Sequence, residues 1–145
     1  MASVSTYLNF ERETEAAFEF YRQVFRSEYA GPVMRMGDGP GCEGQPPLPA
    51  GDRRLVMHVA LPILGGHLLM GTDCPESMGR RLVRGDNVYI NLQPDTRAET
   101  ERLFHALAEG GTVESPLQDM FWGDYWGCLT DRFGTRWMFN CAAKA

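Results

Sequence analysis

The chain has 145 residues, of which 43% are hydrophobic and 23% charged, a balance typical of one globular domain with a buried core. Its formal net charge is −5, which argues against nucleic acid as a partner because phosphate binding needs a concentrated basic face. No apolar run approaches the ~20 residues that span a bilayer, and residues 1–10 lack the pattern of a secretory signal. We therefore expect a cytoplasmic protein with no membrane partner.

The first half of the sequence reads as a strand, a helix and three further strands. Residues 4–10 alternate in the manner of a strand, and residues 14–25 carry apolar side chains at helical spacing. Three more strands are predicted at 28–36, 55–61 and 67–72. A glycine- and proline-rich segment, 37–52, separates two of them and can hold neither a helix nor a central strand. A loop of this length is usually functional or disordered, and we interpret it as a candidate lid.

The second half repeats the same order of elements. Residues 87–93 form a predicted strand, and Asp95 or Thr96 can cap a helix that runs to about Glu109. Strands are then predicted at 112–117, Tyr125–Thr130 and 136–140. Between the halves, Arg80, Arg81 and Arg84 fall in a predicted connector, and we interpret them as solvated rather than as an anion site.

The repeated order indicates an internal duplication. The first strand and helix of each half align with an offset of 83 residues, which pairs Thr6 with Tyr89. The last strands align with an offset of 68, which pairs Met70 with Met138. The predicted fold is α+β, a single domain with one βαβββ module over about 1–73 and another over about 87–141. Two such modules side by side would make a partly open barrel with a central cleft, the default place for a ligand.

Several segments also match a known family. The shorter ones are Tyr7-Leu8-x-Phe10, Met57-His58-x-x-Leu61, Gly66-x-Leu68-Leu69-Met70-x-x-Asp73 and Leu107-Ala108-x-Gly110-Gly111. The most specific is Pro116-Leu117-Gln118-Asp119-x-Phe121-Trp122-Gly123-Asp124, continued by Gly127, Asp131, Phe133, Gly134 and Trp137. In these segments the chain resembles the PhnB-like branch of the vicinal oxygen chelate superfamily, which includes glyoxalases, bleomycin-resistance proteins and dioxygenases.

The resemblance implies where a metal would bind. Metal-dependent members of the superfamily take two ligands from the first strands and two from the last strands of their modules. These positions fall on Thr6, Met70, Tyr89 and Met138, none of which is His, Asp or Glu. Thioethers and hydroxyls are poor ligands for hard or borderline divalent cations. We therefore predict no metal and no cofactor, and a cleft that binds an apolar or amphipathic organic molecule. Related antibiotic-binding proteins hold ligands between two subunits, so a homodimer is expected.

Three further residues are candidates for the substrate-binding cleft. His58 lies on a predicted strand and could act as an acid, a base or a hydrogen-bond donor, or could simply be a paired histidine of the sheet. Phe121 and Trp122 could form a stacking wall over a flat ligand. They could also belong to a hairpin whose aromatic side chains pack on the partner module or subunit, and this structural interpretation is favoured.

The remaining histidines and the cysteines suggest no chemistry. His67 and His105 are expected to face solvent. The four cysteines form no C-x-x-C pair, so a structural zinc site is not expected and reduced thiols are the default. Cys128 is predicted to be a buried strand residue rather than a nucleophile, because no basic neighbour would lower its pKa.

The sequence leaves two classes of function open. One is a metal-independent binding protein, or an enzyme that uses the cleft without a metal. The other is a metal-dependent lyase, isomerase or dioxygenase with displaced ligands that include His58. Methyltransferase activity, a label often attached to PhnB-like proteins, is not favoured, because the glycine-rich segment leads into prolines rather than into a nucleoside-binding helix.

Overall fold

A computed structural model describes residues 1–40, 44 and 47–142. The chain divides into two compact units, Met1–Val83 and Arg84–Ala145, here called module one and module two. Each module holds one four-stranded mixed sheet and one α-helix, in the order βαβββ. The predicted α+β fold with a duplicated module is confirmed. None of the helices in the described ranges is long and apolar enough to cross a membrane.

Module one has the strand order β1-β4-β3-β2, in which β1 and β4 are parallel and the other pairs are antiparallel. Its elements are β1 (Thr6–Phe10), α1 (Thr14–Phe25), β2 (Met34–Arg35), β3 (Val56–Pro62) and β4 (Leu68–Asp73). The strand predicted over 28–36 is only two residues long, because Gly31 and Pro32 interrupt its ladder. Of the predicted lid, residues 41–43, 45 and 46 lie outside the described residues.

Helix α1 packs on the sheet of module one through an apolar stripe. Ala17, Phe18 and Tyr21 are fully buried, and a Cβ placed on Gly71 of β4 would lie 2.5 Å from the Phe18 ring. The buried carboxylate of Asp73 accepts the N–H of Thr14 at the start of the helix at 3.0 Å. Because Gly71 has no side chain, α1 can lie close against this face of the sheet.

Module two has the equivalent order β5-β8-β7-β6, with β5 and β8 parallel. Its elements are β5 (Ile90–Leu92), α2 (Arg97–Ala108), β6 (Thr112–Asp119), β7 (Tyr125–Thr130) and β8 (Arg136–Cys141). The hydroxyl oxygen of Thr96 accepts the Glu99 N–H at 3.1 Å, so Thr96 rather than Asp95 caps α2. Gly110 follows the helix with φ +77°, the left-handed conformation that glycine adopts most readily.

Helix α2 and the β7–β8 turn complete the core of module two. Leu103, Phe104 and Leu107 are buried as predicted, and the Phe104 ring meets Phe139 at 5.3 Å between centroids. The carboxylate of Asp131 is 3% exposed and accepts hydrogen bonds from the Phe133 and Thr135 backbone N–H groups and the Trp137 indole N–H. One buried carboxylate therefore holds both the turn and the largest side chain of the core.

Candidate functional site

The sheet of module one has one face under α1 and one face pointing away from it, here called the far face of module one. Gly71 lies under Phe18, so it marks the covered face. Side chains alternate along a strand, which places Met70 on the far face. Ala60 is the register partner of Met70 on β3, and His58, two residues earlier, lies on the same face.

The register of β1 against β4 corrects one predicted site residue. Thr6 pairs with Leu69 and Tyr7 pairs with Met70. Thr6 therefore lies on the face under α1, where its hydroxyl is 2.8 Å from Nε2 of His67. Tyr7, which was not among the predicted site residues, occupies the position beside Met70. The one-residue error matters because it moves a side chain to the opposite face of a sheet.

Tyr7 and His58 form a hydrogen-bonded pair on the far face of module one. The Tyr7 hydroxyl lies 3.0 Å from Nδ1 of His58, and the two rings are 5.7 Å apart between centroids with a tilt of 36°. Tyr7 remains 45% exposed, whereas His58 is half-buried. Burial raises the pKa of the Tyr7 phenol above its ordinary value, so the hydroxyl keeps its proton at neutral pH.

Apolar side chains flank this polar pair. Met34 on β2 is the register partner of His58, and Met70 is flanked by Tyr7 on one strand and Ala60 on the other. Direct neighbours of this kind have Cβ atoms about 4.5–5.5 Å apart in antiparallel pairs, close enough for one small molecule to touch several. The far face of module one is therefore an amphipathic patch with one hydrogen-bonding pair.

Module two has a corresponding far face, turned away from α2. Gly127 lies under Phe104, and Phe139 is its register partner, so Met138 points to the far face. The register partner of Met138 on β5 is Asn91, whose side-chain oxygen accepts a hydrogen bond from Asn140 at 2.7 Å. Tyr7 is the neighbour of Met70 in module one, so Tyr7 corresponds to Asn91 in module two. This correspondence differs by one residue from the predicted alignment of the two first strands.

Tyr89, the residue predicted beside Met138, precedes β5 and belongs to a polar cluster instead. Its hydroxyl donates to Oε2 of Glu114 at 2.7 Å, and Arg136 contacts the same carboxylate at 2.7 Å while lying 4.3 Å from the Tyr89 ring centre. Thr130 donates to the other carboxylate oxygen at 2.6 Å. The bond to Glu114 raises the pKa of Tyr89 to about 12, and the bonds from Thr130, Tyr89 and Arg136 hold the pKa of Glu114 below its ordinary value. The Tyr89 hydroxyl is thus already committed to a protein partner.

Phe121 and Trp122 lie at the tip of the β6–β7 hairpin. Phe121 is 97% exposed and Trp122 51% exposed, and their rings meet edge to face at 4.9 Å. The indole N–H of Trp122 donates to Asp124 at 3.2 Å, within the same turn. The predicted contact of these rings with a ligand or a partner stays a prediction.

The remaining histidine and cysteine predictions have mixed outcomes. His105 is exposed as predicted, whereas His67 is half-buried beside Thr6. Cys128 is a buried residue of β7 as predicted, and Cys74 and Cys141 are also free and buried. Cys42 lies outside the described residues.

A divalent cation does not fit the donors at the paired far-face positions of either module. Tyr7 and Met70 offer a phenol and a thioether in module one. In module two, Met138 offers a thioether and Asn91 an amide oxygen that already accepts a hydrogen bond. Over residues 1–40, 44 and 47–142, no three His, Cys, Asp or Glu side chains come together as a possible metal site.

A polar cavity in module one was not predicted from the sequence. It has a volume of about 680 Å³, and its lining includes Arg12, Arg35, Arg53 and Arg54 but none of the predicted site residues. Arg12 is bound by Asp52 at 2.8 Å and Glu76 at 2.9 Å, and Arg35 by Glu15 at 2.6 Å. Ion pairs within the protein therefore occupy two of the four guanidinium groups, and we place the candidate site on the far faces of the sheets instead.

Comparison with known proteins agrees with this architecture. No protein-family model matches the chain. It is 35% identical to protein PA1353 from Pseudomonas aeruginosa, with a TM-score of 0.81 over 99% of this chain and 100% of that one. It is 25% identical to the PhnB protein from Bacillus cereus, with a TM-score of 0.74 over 97% of this chain and 100% of that one. The name of that protein includes a proposed 3-demethylubiquinone-9 3-methyltransferase activity.

A third structure is similar in fold. It is a glyoxalase/bleomycin resistance protein/dioxygenase family enzyme from Burkholderia phytofirmans PsJN, 18% identical, with a TM-score of 0.60 over 94% of this chain and 97% of that one. At this identity the likeness shows the fold alone.

Proposed function

We propose that this chain, which has the fold of the vicinal oxygen chelate superfamily and resembles its PhnB-like branch, binds a small apolar or amphipathic organic molecule without a metal ion. The observation that carries this proposal is the register pairing of Tyr7 with Met70 and of Asn91 with Met138. The resemblance implies that metal-dependent members of the superfamily take their ligands from the first and last strands of each module. On the far faces of those strands, module one carries a phenol and a thioether and module two an amide and a thioether, all of which are poor ligands for a divalent cation.

The chemistry of the far face of module one supports an amphipathic ligand. Met34, Ala60 and Met70 offer apolar contacts, and burial of a methionine side chain contributes about 1.5–3 kcal/mol. The Tyr7–His58 pair supplies hydrogen-bonding groups at the same place. A ligand with an apolar body and a polar substituent would make the apolar contacts and the hydrogen bonds at the same time.

Metal analysis and binding of an apolar naphthalene probe test this proposal together. We expect purified protein from metal-supplemented medium to hold well under one divalent ion per chain, and the probe affinity to be the same with and without a chelator. Met70→Ser should weaken probe binding by about tenfold through lost apolar contact. Val83→Ser, which changes a side chain 78% exposed in the connector, is the matched control. One tightly held ion per chain, or probe binding that Met70→Ser leaves unchanged, contradicts the proposal.

A second candidate function is catalysis in which His58 acts as a general acid or base. The observation that favours it is the contact of His58 Nδ1 with the Tyr7 hydroxyl, which orients the imidazole ring on the far face. In the metal-dependent form of this alternative, His58 would be a displaced ligand of a lyase, isomerase or dioxygenase. If the His58→Ala variant has the same metal content as the unmodified protein, the metal-dependent form is excluded.

We do not extend to this chain the methyltransferase activity in the name of the Bacillus cereus PhnB protein. Nucleoside-binding folds place a glycine-rich turn between the first strand and its helix. Here β1 ends at Phe10 and α1 begins at Thr14, and the connecting residues are Glu11, Arg12 and Glu13. S-adenosylmethionine binding at micromolar concentration in calorimetry would reverse this conclusion.

A further inference from the structure

We infer that Tyr7 holds neutral His58 in the tautomer with its proton on Nε2, so that the far face of module one recognises an oxygen acceptor on the ligand. This inference rests on the proposed function and narrows its ligand class. The expected ligand has an apolar body and a carbonyl or carboxylate oxygen. A ligand whose only polar group is a hydrogen-bond donor would not suit the site.

The Tyr7–His58 contact has the geometry of a hydrogen bond. The oxygen of Tyr7 is 3.0 Å from Nδ1 of His58, within the range of a normal hydrogen bond. The ring centroids are 5.7 Å apart and the planes are tilted by 36°, so the rings are not stacked face to face. The contact that fixes the imidazole is therefore the hydrogen bond at Nδ1.

The relative acidity of the two groups determines the direction of that hydrogen bond. A phenol O–H is a stronger acid than the N–H of neutral imidazole, and the unprotonated imidazole nitrogen is a stronger acceptor than a phenol oxygen. The proton between the two groups therefore belongs to Tyr7, which donates to Nδ1. Because neutral imidazole carries a proton on only one nitrogen, Nε2 of His58 is the one that carries N–H.

The Nε2–H group of His58 belongs to a face that is otherwise largely apolar. No hydrogen-bond partner for Nε2 of His58 is found in residues 1–40, 44 and 47–142. His58 is half-buried, and its register partner on β2 is Met34. A polar donor on a face that also carries Met34, Ala60 and Met70 can discriminate between otherwise similar apolar ligands, because an acceptor pairs with it and a hydrocarbon leaves it unpaired.

Nitrogen NMR measures the tautomer directly and needs no ligand. In histidine-labelled protein at mildly alkaline pH, long-range proton–nitrogen correlations should show the Nε2–H form of His58. In Tyr7→Phe both tautomers should be populated. Tyr29→Phe is the matched control, because Tyr29 in the same module donates to Glu19 at 2.8 Å and not to a histidine. A dominant Nδ1–H form in the unmodified protein overturns the inference.

Binding of two neutral probes tests the ligand class. Acetylnaphthalene and its isopropenyl isostere have nearly the same shape, but only the first has an acceptor oxygen. We expect acetylnaphthalene to bind about three- to tenfold more tightly, and His58→Phe to remove the difference. Equal affinities overturn the inference and leave the proposed function intact. If neither probe binds, the proposed function fails, and the NMR result still decides the tautomer.

Discussion

Tyr7 and Met70 are direct neighbours across the parallel β1–β4 pair, on the face of the sheet that α1 does not cover. Asn91 and Met138 have the same relationship across β5 and β8 in module two. The duplication of the chain is therefore visible in one pair of neighbouring positions in each module. In both modules a methionine on the last strand pairs with a neutral polar residue on the first strand.

The register of the β1–β4 pair predicts which double variant gains metal affinity. Tyr7→His combined with Met70→Glu would put an imidazole and a carboxylate side by side, and we expect Zn²⁺ to bind at least about tenfold more tightly than to the unmodified protein. The measurement is calorimetric titration of each variant with Zn²⁺.

The matched controls for that variant are the single variants Tyr7→His and Met70→Glu, each of which adds only one of the two groups. A double variant that binds Zn²⁺ no more tightly than either single variant would contradict the register.

The close approach of α1 to β4 predicts the effect of a single methyl group. In Gly71→Ala the new Cβ would lie 2.5 Å from the Phe18 ring, so the fully buried phenylalanine must move. We expect a loss of about 1–3 kcal/mol in the free energy of unfolding, measured by chemical denaturation. Gly31→Ala, where no heavy atom lies within 4 Å of the new Cβ, should change stability by less than about 0.5 kcal/mol. Similar losses in both variants would show that packing against Phe18 is not the cause.

The buried carboxylate of Asp131 should be required for the stability of module two. Asp131→Asn replaces a carboxylate that accepts three hydrogen bonds by an amide with one acceptor oxygen and a group that can only donate. We expect a cost of about 2–4 kcal/mol in thermal or chemical unfolding, because donors in the turn and on Trp137 lose their partner. Asp95→Asn, at an exposed position before α2, is the control and should leave the melting temperature unchanged. A small effect of Asp131→Asn would mean that other groups satisfy these donors.

Glu114 should contribute to the acid sensitivity of the fold. Its pKa is lowered by the hydrogen bonds from Thr130, Tyr89 and Arg136, so the folded state favours the ionised carboxylate. The associated stability is present above the ordinary pKa of 4.5 and is lost as the pH falls through the lower pKa of the folded protein.

Melting temperature as a function of pH measures this contribution. The unmodified protein should be more stable than Glu114→Gln at neutral pH, and the difference should narrow below about pH 4.5. Glu13→Gln on the surface is the control for a general charge effect. A difference between the unmodified protein and Glu114→Gln that stays constant down to acidic pH would argue against this role of the carboxylate.

Much of the fold could be predicted from the sequence because local patterns encode it. Helical spacing of apolar residues located α1 over Thr14–Phe25, and the capping residue Thr96 located the start of α2. Alternation and glycine-rich turns gave the order of the strands in each module, with errors at their ends. The strand predicted over 28–36 was the largest of these errors, since only Met34 and Arg35 find a ladder partner.

The candidate site was less predictable, although one signal was present. Thr6 alternates with Leu8 and Phe10 in the sequence, so the strand pattern already grouped it with the apolar face and left Tyr7 on the other. The resemblance to the superfamily nevertheless placed a ligand position on Thr6, and the repeat alignment that supported this placement was shifted by one residue. Only the pairing of β1 with β4 shows which residue lies beside Met70, because an alignment of two weakly similar halves does not determine the register of a strand.

The amino-acid sequence by itself determined the elements, their duplicated order and the residue types available for chemistry, because hydrophobic periodicity and turn residues act over a few neighbouring positions. Tertiary structure alone decided that Tyr7 meets His58, 51 residues away, and that Tyr89 binds Glu114 rather than accompanying Met138. Contacts of that kind depend on strand register and on which face a helix covers. Both are set by hydrogen bonds and packing between segments that are distant in the chain.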